Sequence, residues 1–562
     1  MSESYYDLGD YRRKVTTSSP EAQTWFDRGL LWTYCFNPEE AVRCFEKAAE
    51  YDPQCAMAHW GVAFASGPNY NKTWRLLDLA DMAVAIRVAH DALQRALQAS
   101  LNASSLEQDP IEALVPRYPA AATKDPEEFH RLNLAHAMRS FYQKHSDDPD
   151  AVALFGDALM CVSPRALWDL DTGEPIGYGT VEARQVIEKA LRGPDGHPHP
   201  VLNHLHIHLM EMSPYPEVAL RAADDLRRLA PDGSHLAHMS THIDNACGDW
   251  RRVVDSNIDA AAADDRFFGR EKNPGSQYTY YRAHNLMVGT YGAMMAGRSR
   301  EAVSMARRLY EVITPEFLRT SRPPMVDFCE SAGFMLPHVL IRFGRWQEIL
   351  DLEFPDDRDL CCATTAMIHY ARGIAFSALR RIPEAEEARE QFIAAAALVP
   401  ESRFNTIPVK QVEAQKVAAK MLDGELEYRK GNVEKAFDLL RQAIQLEDAL
   451  PYCDPPAWLQ PVRHAYCALM IEQGRVEEAV TEYRIDLGLT RKLGRRRIRP
   501  NNVWNLHGLY ECLTRLGRHE EAREIALQRD VAVVSADVTI AASCFCRLSA
   551  FEKSAAGEAA VA

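Results

Sequence analysis

Eight of the nineteen histidines lie within one short stretch of the chain, between His197 and His242. Most of them fall in two segments, residues 203–213 (NHLHIHLMEMS) and 234–247 (SHLAHMSTHIDNAC). Imidazole nitrogens bind Zn, Cu, Fe and Ni, and a carboxylate adds a harder oxygen ligand. This concentration of histidine therefore predicts a metal site.

The spacing of these residues supports that prediction if both segments are helical. Residues at i, i+3, i+4 and i+7 share one face of a helix. The two faces carry His204, His208 and Glu211 on the first segment, and His235, His238 and His242 on the second. His206 lies on the opposite side of the first helix, where a packing or supporting role is expected.

A common register connects the two faces. His238 follows His204 by 34 residues, and His242 follows His208 by the same interval. Equivalent positions on neighbouring packed helices are separated by about 8 to 10 Å between axes. Four imidazoles and Glu211 are therefore expected to converge on one point.

The elements that must position these residues show a repeat of the same length. In residues 25–53, small and apolar side chains recur at helical spacing around a turn at Asn37-Pro38. They are Gly29, Ala41, Phe45 and Ala48, closed by Pro53. The pattern resembles the tetratricopeptide repeat, which is a pair of antiparallel helices. The resemblance implies an all-α fold, a right-handed superhelix of such helix pairs.

Degenerate copies of this pattern extend from about residue 22 to about residue 530. Gly373, Ala385 and Phe392 form one copy, and Gly424, Ala436, Leu440 and Ala443 form another. Turn glycines also precede several predicted helix starts: Gly297, Gly344, Gly431, Gly474 and Gly517. We divide the chain into a flexible tail (1–20), N-terminal repeats (21–125), central repeats with the metal site (126–298), C-terminal repeats (299–530), and a terminal helix with a flexible tail (531–562).

The middle third also resembles a poorly characterised group of tetratricopeptide-like proteins in bacteria and fungi. The shared patterns are NHxxxHxxE, HxxHMxxH and HN, at residues 203–213, 234–250 and 281–298. The resemblance implies one site formed by His204, His208, Glu211, His235, His238, His242 and His284. It also places these residues on the wall of the concave groove of the superhelix.

The function we predict is a metal-dependent enzyme that acts on a small organic substrate in this groove. Hydrolytic zinc has three protein ligands as a rule, and this site offers more, which favours an oxidoreductase or oxygenase with Fe or Cu. A Zn-dependent hydrolase or lyase is the alternative. Glu211, as ligand or general base, and His235 are the candidate catalytic residues.

Two functions without catalysis also remain open. Most tetratricopeptide proteins are peptide-binding scaffolds, and a scaffold would contain no stoichiometric metal. A metal-storage or metal-sensing protein would exchange metal without turnover. A protein partner or a homodimer formed through the repeat surfaces is compatible with each of these hypotheses.

Composition argues against several other classes. Lys and Arg total 64 against 79 Asp and Glu, and a net charge of −15 disfavours nucleic acid and anionic lipid as partners. The basic run at residues 491–499 is interpreted as a solvated loop or helix end. No segment has about 18 consecutive apolar residues, and the thirteen cysteines form no CxxC framework. We therefore expect a cytoplasmic protein with reduced thiols and no membrane partner.

Overall fold

The protein divides into two units that are each built from helices. The computed structural model describes residues 5–73, 79–122, 126–192, 199–271 and 275–551. The first unit comprises Met1–Ile243 and Ile258–Arg282, and the second comprises Asp244–Asn257 and Ala283–Ala562. In both units the described residues are predominantly helical, which confirms the predicted all-α class of antiparallel helix pairs.

In the described part of the first unit, ten α-helices precede the second histidine-rich segment, residues 234–247. They are α1 (Pro20–Tyr34), α2 (Pro38–Tyr51), α3 (Ala56–Ala65), α4 (Leu79–Ala99), α5 (Ser105–Leu114), α6 (Pro126–Lys144), α7 (Pro149–Met160), α8 (Thr180–Leu191), α9 (Pro200–Met210) and α10 (Leu220–Leu229). The next three helices are α11 (Ser234–Cys247), α12 (Trp250–Phe268) and α13 (Ser276–Ala296), and the boundary between the units falls inside each of them.

The second unit continues with further helices and one small hairpin. The helices are α14 (Ser299–Val312), α15 (Pro315–Leu318), α16 (Met325–Cys329), α17 (Met335–Arg342), α18 (Trp346–Leu350), α19 (Cys362–Ala378), α20 (Ile382–Ala396), α21 (Gln411–Arg429), α22 (Val433–Asp448), α23 (Val462–Glu472), α24 (Val476–Asp486), α25 (Val503–Arg515) and α26 (His519–Val533). Strands β1 (Phe404–Thr406) and β2 (Val409–Lys410) pair antiparallel.

The packing of the first three helices explains the small residues of the repeat pattern. Phe45 of α2 lies between Gly29 of α1 and Gly61 of α3. A Cβ atom at Gly29 would lie 2.7 Å from the Phe45 ring, and one at Gly61 would lie 2.4 Å from it. Both distances are shorter than van der Waals contact. The glycines therefore allow the three helices to approach closely around one aromatic ring.

The turn glycines occupy the positions that the repeat pattern predicts. Gly297, Gly431 and Gly474 all have positive φ angles, between 73° and 87°. Helices α14, α22 and α24 begin two residues after them. Glycine has no Cβ to clash in this left-handed conformation, which explains its recurrence where one helix ends and the next begins.

Residues 5–19, which the sequence analysis assigns to a flexible tail, have no helix or strand but are packed within the first unit. The side chains of Tyr6, Leu8 and Val15 are buried. The Asp232 amide donates a hydrogen bond to the Asp7 carbonyl at 2.8 Å. This segment reaches the histidine-bearing helices through side chains described below.

In the part of the chain that the structure describes, no helix combines the length with the apolar character that a bilayer crossing requires.

Candidate metal centre

Two helices of the first unit carry the histidines, close to the predicted positions. Helix α11 has the predicted bounds, whereas α9 begins at Pro200 and ends at Met210, three residues earlier than its segment. Pro200 occupies the first turn of α9, and the side chain of His199 caps its N-terminus. Glu211 follows the helix but keeps helical backbone angles (φ −56°, ψ −35°), so its side chain remains beside His208.

Five imidazoles form a closed ring in the interior of the first unit. The distances between neighbouring ring centroids are 4.9 Å (His204–His208), 5.0 Å (His204–His235), 5.9 Å (His235–His238), 5.1 Å (His238–His242) and 5.9 Å (His208–His242). We refer to these five residues as the histidine ring. The 34-residue register thus brings α9 and α11 together at the positions expected from the sequence.

The histidine ring is buried and covered by aromatic side chains, rather than open as a groove-wall position implies. Its members are at most 3% exposed. Phe36 lies 4.3 Å from His204 between ring centroids and stacks on His235 at 5.4 Å. Tyr70 lies 4.7 Å from His208, and Tyr281 stacks on His235 at 4.6 Å.

Hydrogen bonds donated by Nδ1 fix the orientation of three of the five imidazoles. One oxygen of Glu211 accepts from His208 Nδ1 at 2.9 Å, and the other accepts from His242 Nδ1 at 2.6 Å. His204 Nδ1 donates to the backbone carbonyl of Tyr34 at 3.1 Å. These bonds select the tautomer in which the Nε2 atom carries the lone pair.

The Nε2 atoms of His238 and His242 face each other, and those of His204 and His208 are buried. His238 Nε2 and His242 Nε2 are 3.2 Å apart. Among the residues that the structure describes, His204 Nε2 and His208 Nε2 are buried without a hydrogen bond. Leaving such atoms unpaired costs about 1 to 3 kcal/mol each, so buried polar atoms usually have a partner.

Burial and mutual contact set the charge of the site. Burial lowers the pKa of His204 well below its usual value, and the neighbouring His208 lowers it further. Burial also lowers the pKa of His208, although Glu211 opposes this effect. Burial would raise the pKa of Glu211, but the adjacent imidazoles of His242 and His208 outweigh it and hold that pKa well below the usual range. His204 and His208 are therefore neutral imidazoles near the ionised carboxylate of Glu211.

The nitrogen positions fit a transition-metal ion. Two imidazole nitrogens bound to one metal at about 2.0–2.1 Å lie about 3.3 Å apart at a tetrahedral angle, close to the 3.2 Å between His238 Nε2 and His242 Nε2. His204, His208 and His235 each offer a nitrogen, and these three lie within 4.8 Å of one another. A single metal bound by all three would require these nitrogens to lie about 3.3 Å apart.

The remaining predicted residues have distinct positions. Both oxygens of Glu211 contact Nδ1 atoms, so its side chain is placed to orient imidazoles. His206 lies apart from the histidine ring, with Nε2 3.7 Å from Glu188. His284 lies on α13 in the second unit, beyond the unit boundary at Arg282, and its participation stays a prediction.

A buried carboxylate that the sequence analysis did not identify anchors the surroundings of the site. Asp150 of α7 accepts hydrogen bonds from the hydroxyl groups of Tyr34 and Tyr11, and it contacts Arg13 Nη1 at 2.5 Å and His199 Nε2 at 3.2 Å. These partners outweigh the effect of burial and lower the pKa of Asp150. Asp150 therefore holds both Tyr34, whose carbonyl accepts a hydrogen bond from His204, and His199, which caps α9.

Comparisons with known proteins identify no family. No protein-family model matches the chain, and no curated protein sequence matches it. One solved structure that is similar is titled "Structure of Naa15/Naa10 bound to HypK-THB". The chain is 12% identical to it, with a TM-score of 0.21, and the alignment covers 91% of this chain and 70% of that one.

Proposed function

We propose that this protein is a metal-dependent enzyme in which the histidine ring binds Fe or Cu and supports oxidation of a small organic substrate. The observation that carries the proposal is the ring itself, five buried imidazoles with Nε2 atoms of His204 and His208 unpaired in the described part of the chain. A bound cation would satisfy these atoms and compensate the cost of burying them.

The outer hydrogen bonds support a metal site more than a structural polar cluster. Histidines that bind metals usually donate their second nitrogen to a carboxylate or a backbone carbonyl. His208 and His242 have a carboxylate partner in Glu211, and His204 has a carbonyl partner in Tyr34. The lone pairs of these three imidazoles are thereby directed away from their supporting groups.

The donor set favours redox chemistry over hydrolysis. Imidazole suits Fe and Cu as well as Zn, and a redox metal would supply electron transfer and oxygen chemistry when bound. A hydrolytic zinc site needs a general base beside the bound water. Glu211 is the nearby carboxylate, and both its oxygens accept hydrogen bonds from imidazoles. The Zn-dependent hydrolase or lyase is therefore the second candidate.

Burial also argues against a peptide-binding scaffold at this site. A peptide must reach the side chains that recognise it, whereas the histidine ring is at most 3% exposed. The tetratricopeptide-like relationship is part of the proposal, supported by the 34-residue register and by the packing of Phe45 between Gly29 and Gly61. The domain boundaries, the cytoplasmic location, and a partner or homodimer through the repeat surfaces stay predictions.

Metal-specific turnover tests this function. Apoprotein would be reconstituted anaerobically with Fe(II), Cu(II) or Zn(II), then assayed for oxygen consumption with small amines and alcohols and for hydrolysis of chromogenic esters. The variants are His204→Ala/His238→Ala and, as a matched control, His206→Gln, which alters a buried histidine outside the ring.

Oxygen consumption that requires Fe or Cu, is lost in the double variant and persists in His206→Gln would support the proposal. Hydrolysis with Zn alone would overturn the redox assignment in favour of the second candidate. Turnover that is unchanged in the double variant would overturn the site.

A further inference from the structure

The 34-residue repeat duplicates a pair of histidines that lie one helical turn apart. Helix α9 carries His204 and His208, and α11 carries the equivalent pair, His238 and His242. Two histidines at i and i+4 share one face of a helix and can bind the same metal ion. The ring centroids are 4.9 Å apart in the first pair and 5.1 Å apart in the second. Each helix therefore presents a histidine pair of similar spacing.

The spacing around the histidine ring is uneven. Two imidazoles on one tetrahedral ion, with metal–nitrogen bonds of about 2.0–2.1 Å, have ring centroids about 5.2 Å apart. Both pairs are close to this separation, and so is His235, whose centroid is 5.0 Å from that of His204. His238 lies farther from His235, at 5.9 Å. His242 lies equally far from His208. These two longer separations divide the ring into three imidazoles and two imidazoles.

We refer to His204, His208 and His235 as the first group, and to His238 and His242 as the second group. The nitrogens offered by the first group lie within 4.8 Å of one another, and the Nε2 atoms of the second group are 3.2 Å apart. A protein site for one metal ion usually contains three or four protein ligands. Five imidazoles exceed that number, and their uneven spacing separates them as two ions would require.

Glu211 supports one imidazole of each group. One of its carboxylate oxygens accepts from Nδ1 of His208, in the first group, at 2.9 Å. The other oxygen accepts from Nδ1 of His242, in the second group, at 2.6 Å. Because both bonds are made through Nδ1, they leave the Nε2 lone pair of each imidazole for a metal. One buried carboxylate can thereby orient a ligand of each of two ions and offset part of their charge.

We propose that the histidine ring binds two metal ions, one held by the first group and one by the second. This inference rests on the proposed function and adds a second ion to its metal centre. The two ions of a two-metal enzyme site are about 3.5–4 Å apart and act together on one substrate. The ion of the second group has fewer imidazole ligands within the histidine ring, which leaves more of its coordination positions for the substrate.

Copper titration of the full chain, purified without a histidine tag and stripped of metal, tests this division. Bound copper would be counted by mass spectrometry after desalting in glycine, which removes weakly held copper. EPR spectra would show whether the ions interact, because two Cu(II) ions a few ångströms apart alter each other's spectrum. His204→Ala/His208→Ala removes the pair of the first group, and His238→Ala/His242→Ala removes the second group. His206→Gln is the control, since it alters a buried histidine outside the ring.

The wild type and His206→Gln should each bind about two copper ions per chain, and each double variant about one. The wild-type EPR spectrum should differ from the sum of the spectra of the two double variants. A wild type that saturates with one ion, double variants that each lose all copper, or a wild-type spectrum equal to that sum would overturn the inference and leave the proposed function standing. Failure of the wild type to bind copper, and Fe(II) in a parallel anaerobic titration, would overturn the proposed function as well.

Discussion

Replacing Glu211 with glutamine isolates the orienting role of this side chain, because the change preserves its size. Each oxygen of Glu211 accepts one Nδ1–H, at 2.9 Å from His208 and at 2.6 Å from His242. Glutamine has one acceptor oxygen, and its second terminal atom is an amide donor. One imidazole must therefore lose its hydrogen bond or change tautomer, and a changed tautomer converts its Nε2 lone pair to N–H.

The expected loss of metal affinity follows from the loss of one of these two hydrogen bonds. Removing a partner that orients a metal-binding histidine reduces metal affinity by about 10- to 100-fold. We expect a loss of that size for Glu211→Gln, equivalent to about 1.4 to 2.7 kcal/mol of binding free energy. Since the backbone and the packing are preserved, helical circular dichroism should be unchanged.

Competition with a chelator of known affinity measures this change for Fe(II) or Cu(II). Glu188→Gln is the matched control, since Glu188 lies 3.7 Å from His206, outside the histidine ring. An unchanged metal affinity in Glu211→Gln would refute the orienting role. A loss of more than about 1,000-fold, well beyond the range for an orienting partner, would show that Glu211 binds the metal directly.

Three further changes test the surroundings and the repeat packing. Asp150→Asn removes one of the two carboxylates that contact the buried Arg13, with Asp148 remaining 3.1 Å away, and should lower the free energy of unfolding at pH 7 by about 1 to 3 kcal/mol. Because the pKa of Asp150 is lowered in the folded state, this difference should be present above about pH 4 and shrink as pH falls further, as measured by urea denaturation at pH 7 and below pH 4. Burial lowers the pKa of His338 to about 4, so its contribution to the free energy of unfolding is present above about pH 6.5 and lost as pH falls toward 4. His338→Phe should remove up to about 3 kcal/mol of this pH dependence, and an unaltered dependence of the unfolding free energy on pH would contradict the argument. Gly61→Ala places a Cβ 2.4 Å from the Phe45 ring and should destabilise the first unit by about 1 to 3 kcal/mol, seen as a lower melting temperature; a melting temperature equal to that of the wild type would show that Phe45 can move aside.

The repeat architecture could be predicted because its determinants are local. Helical periodicity and turn glycines depend on residues a few positions apart, and the observed bounds of α11 coincide with the predicted segment. The interval of 34 residues between His204 and His238 predicts that their side chains lie close together, provided that successive repeats stack in register. Their side chains are accordingly close together in the histidine ring.

The supporting groups could not be predicted from the sequence, because they come from distant parts of the chain. The carbonyl of Tyr34 and the ring of Phe36 reach His204 across about 170 residues, and neither residue type marks a metal site. Asp150 is one of many acidic residues until the fold places Arg13 and His199 beside it. The spacing of Glu211 fits both a metal ligand and an orienting carboxylate, and its role depends on which atoms its oxygens face.

The most direct test of the metal centre is elemental analysis of full-length protein purified without a histidine tag, by inductively coupled plasma mass spectrometry. The histidine ring predicts stoichiometric Fe or Cu, as purified or after anaerobic reconstitution. His204→Ala/His238→Ala, matched for helical circular dichroism, should lose this metal, and His206→Gln should retain it. Wild-type protein that binds no transition metal under either condition, or a double variant that keeps its full complement, would contradict the assignment.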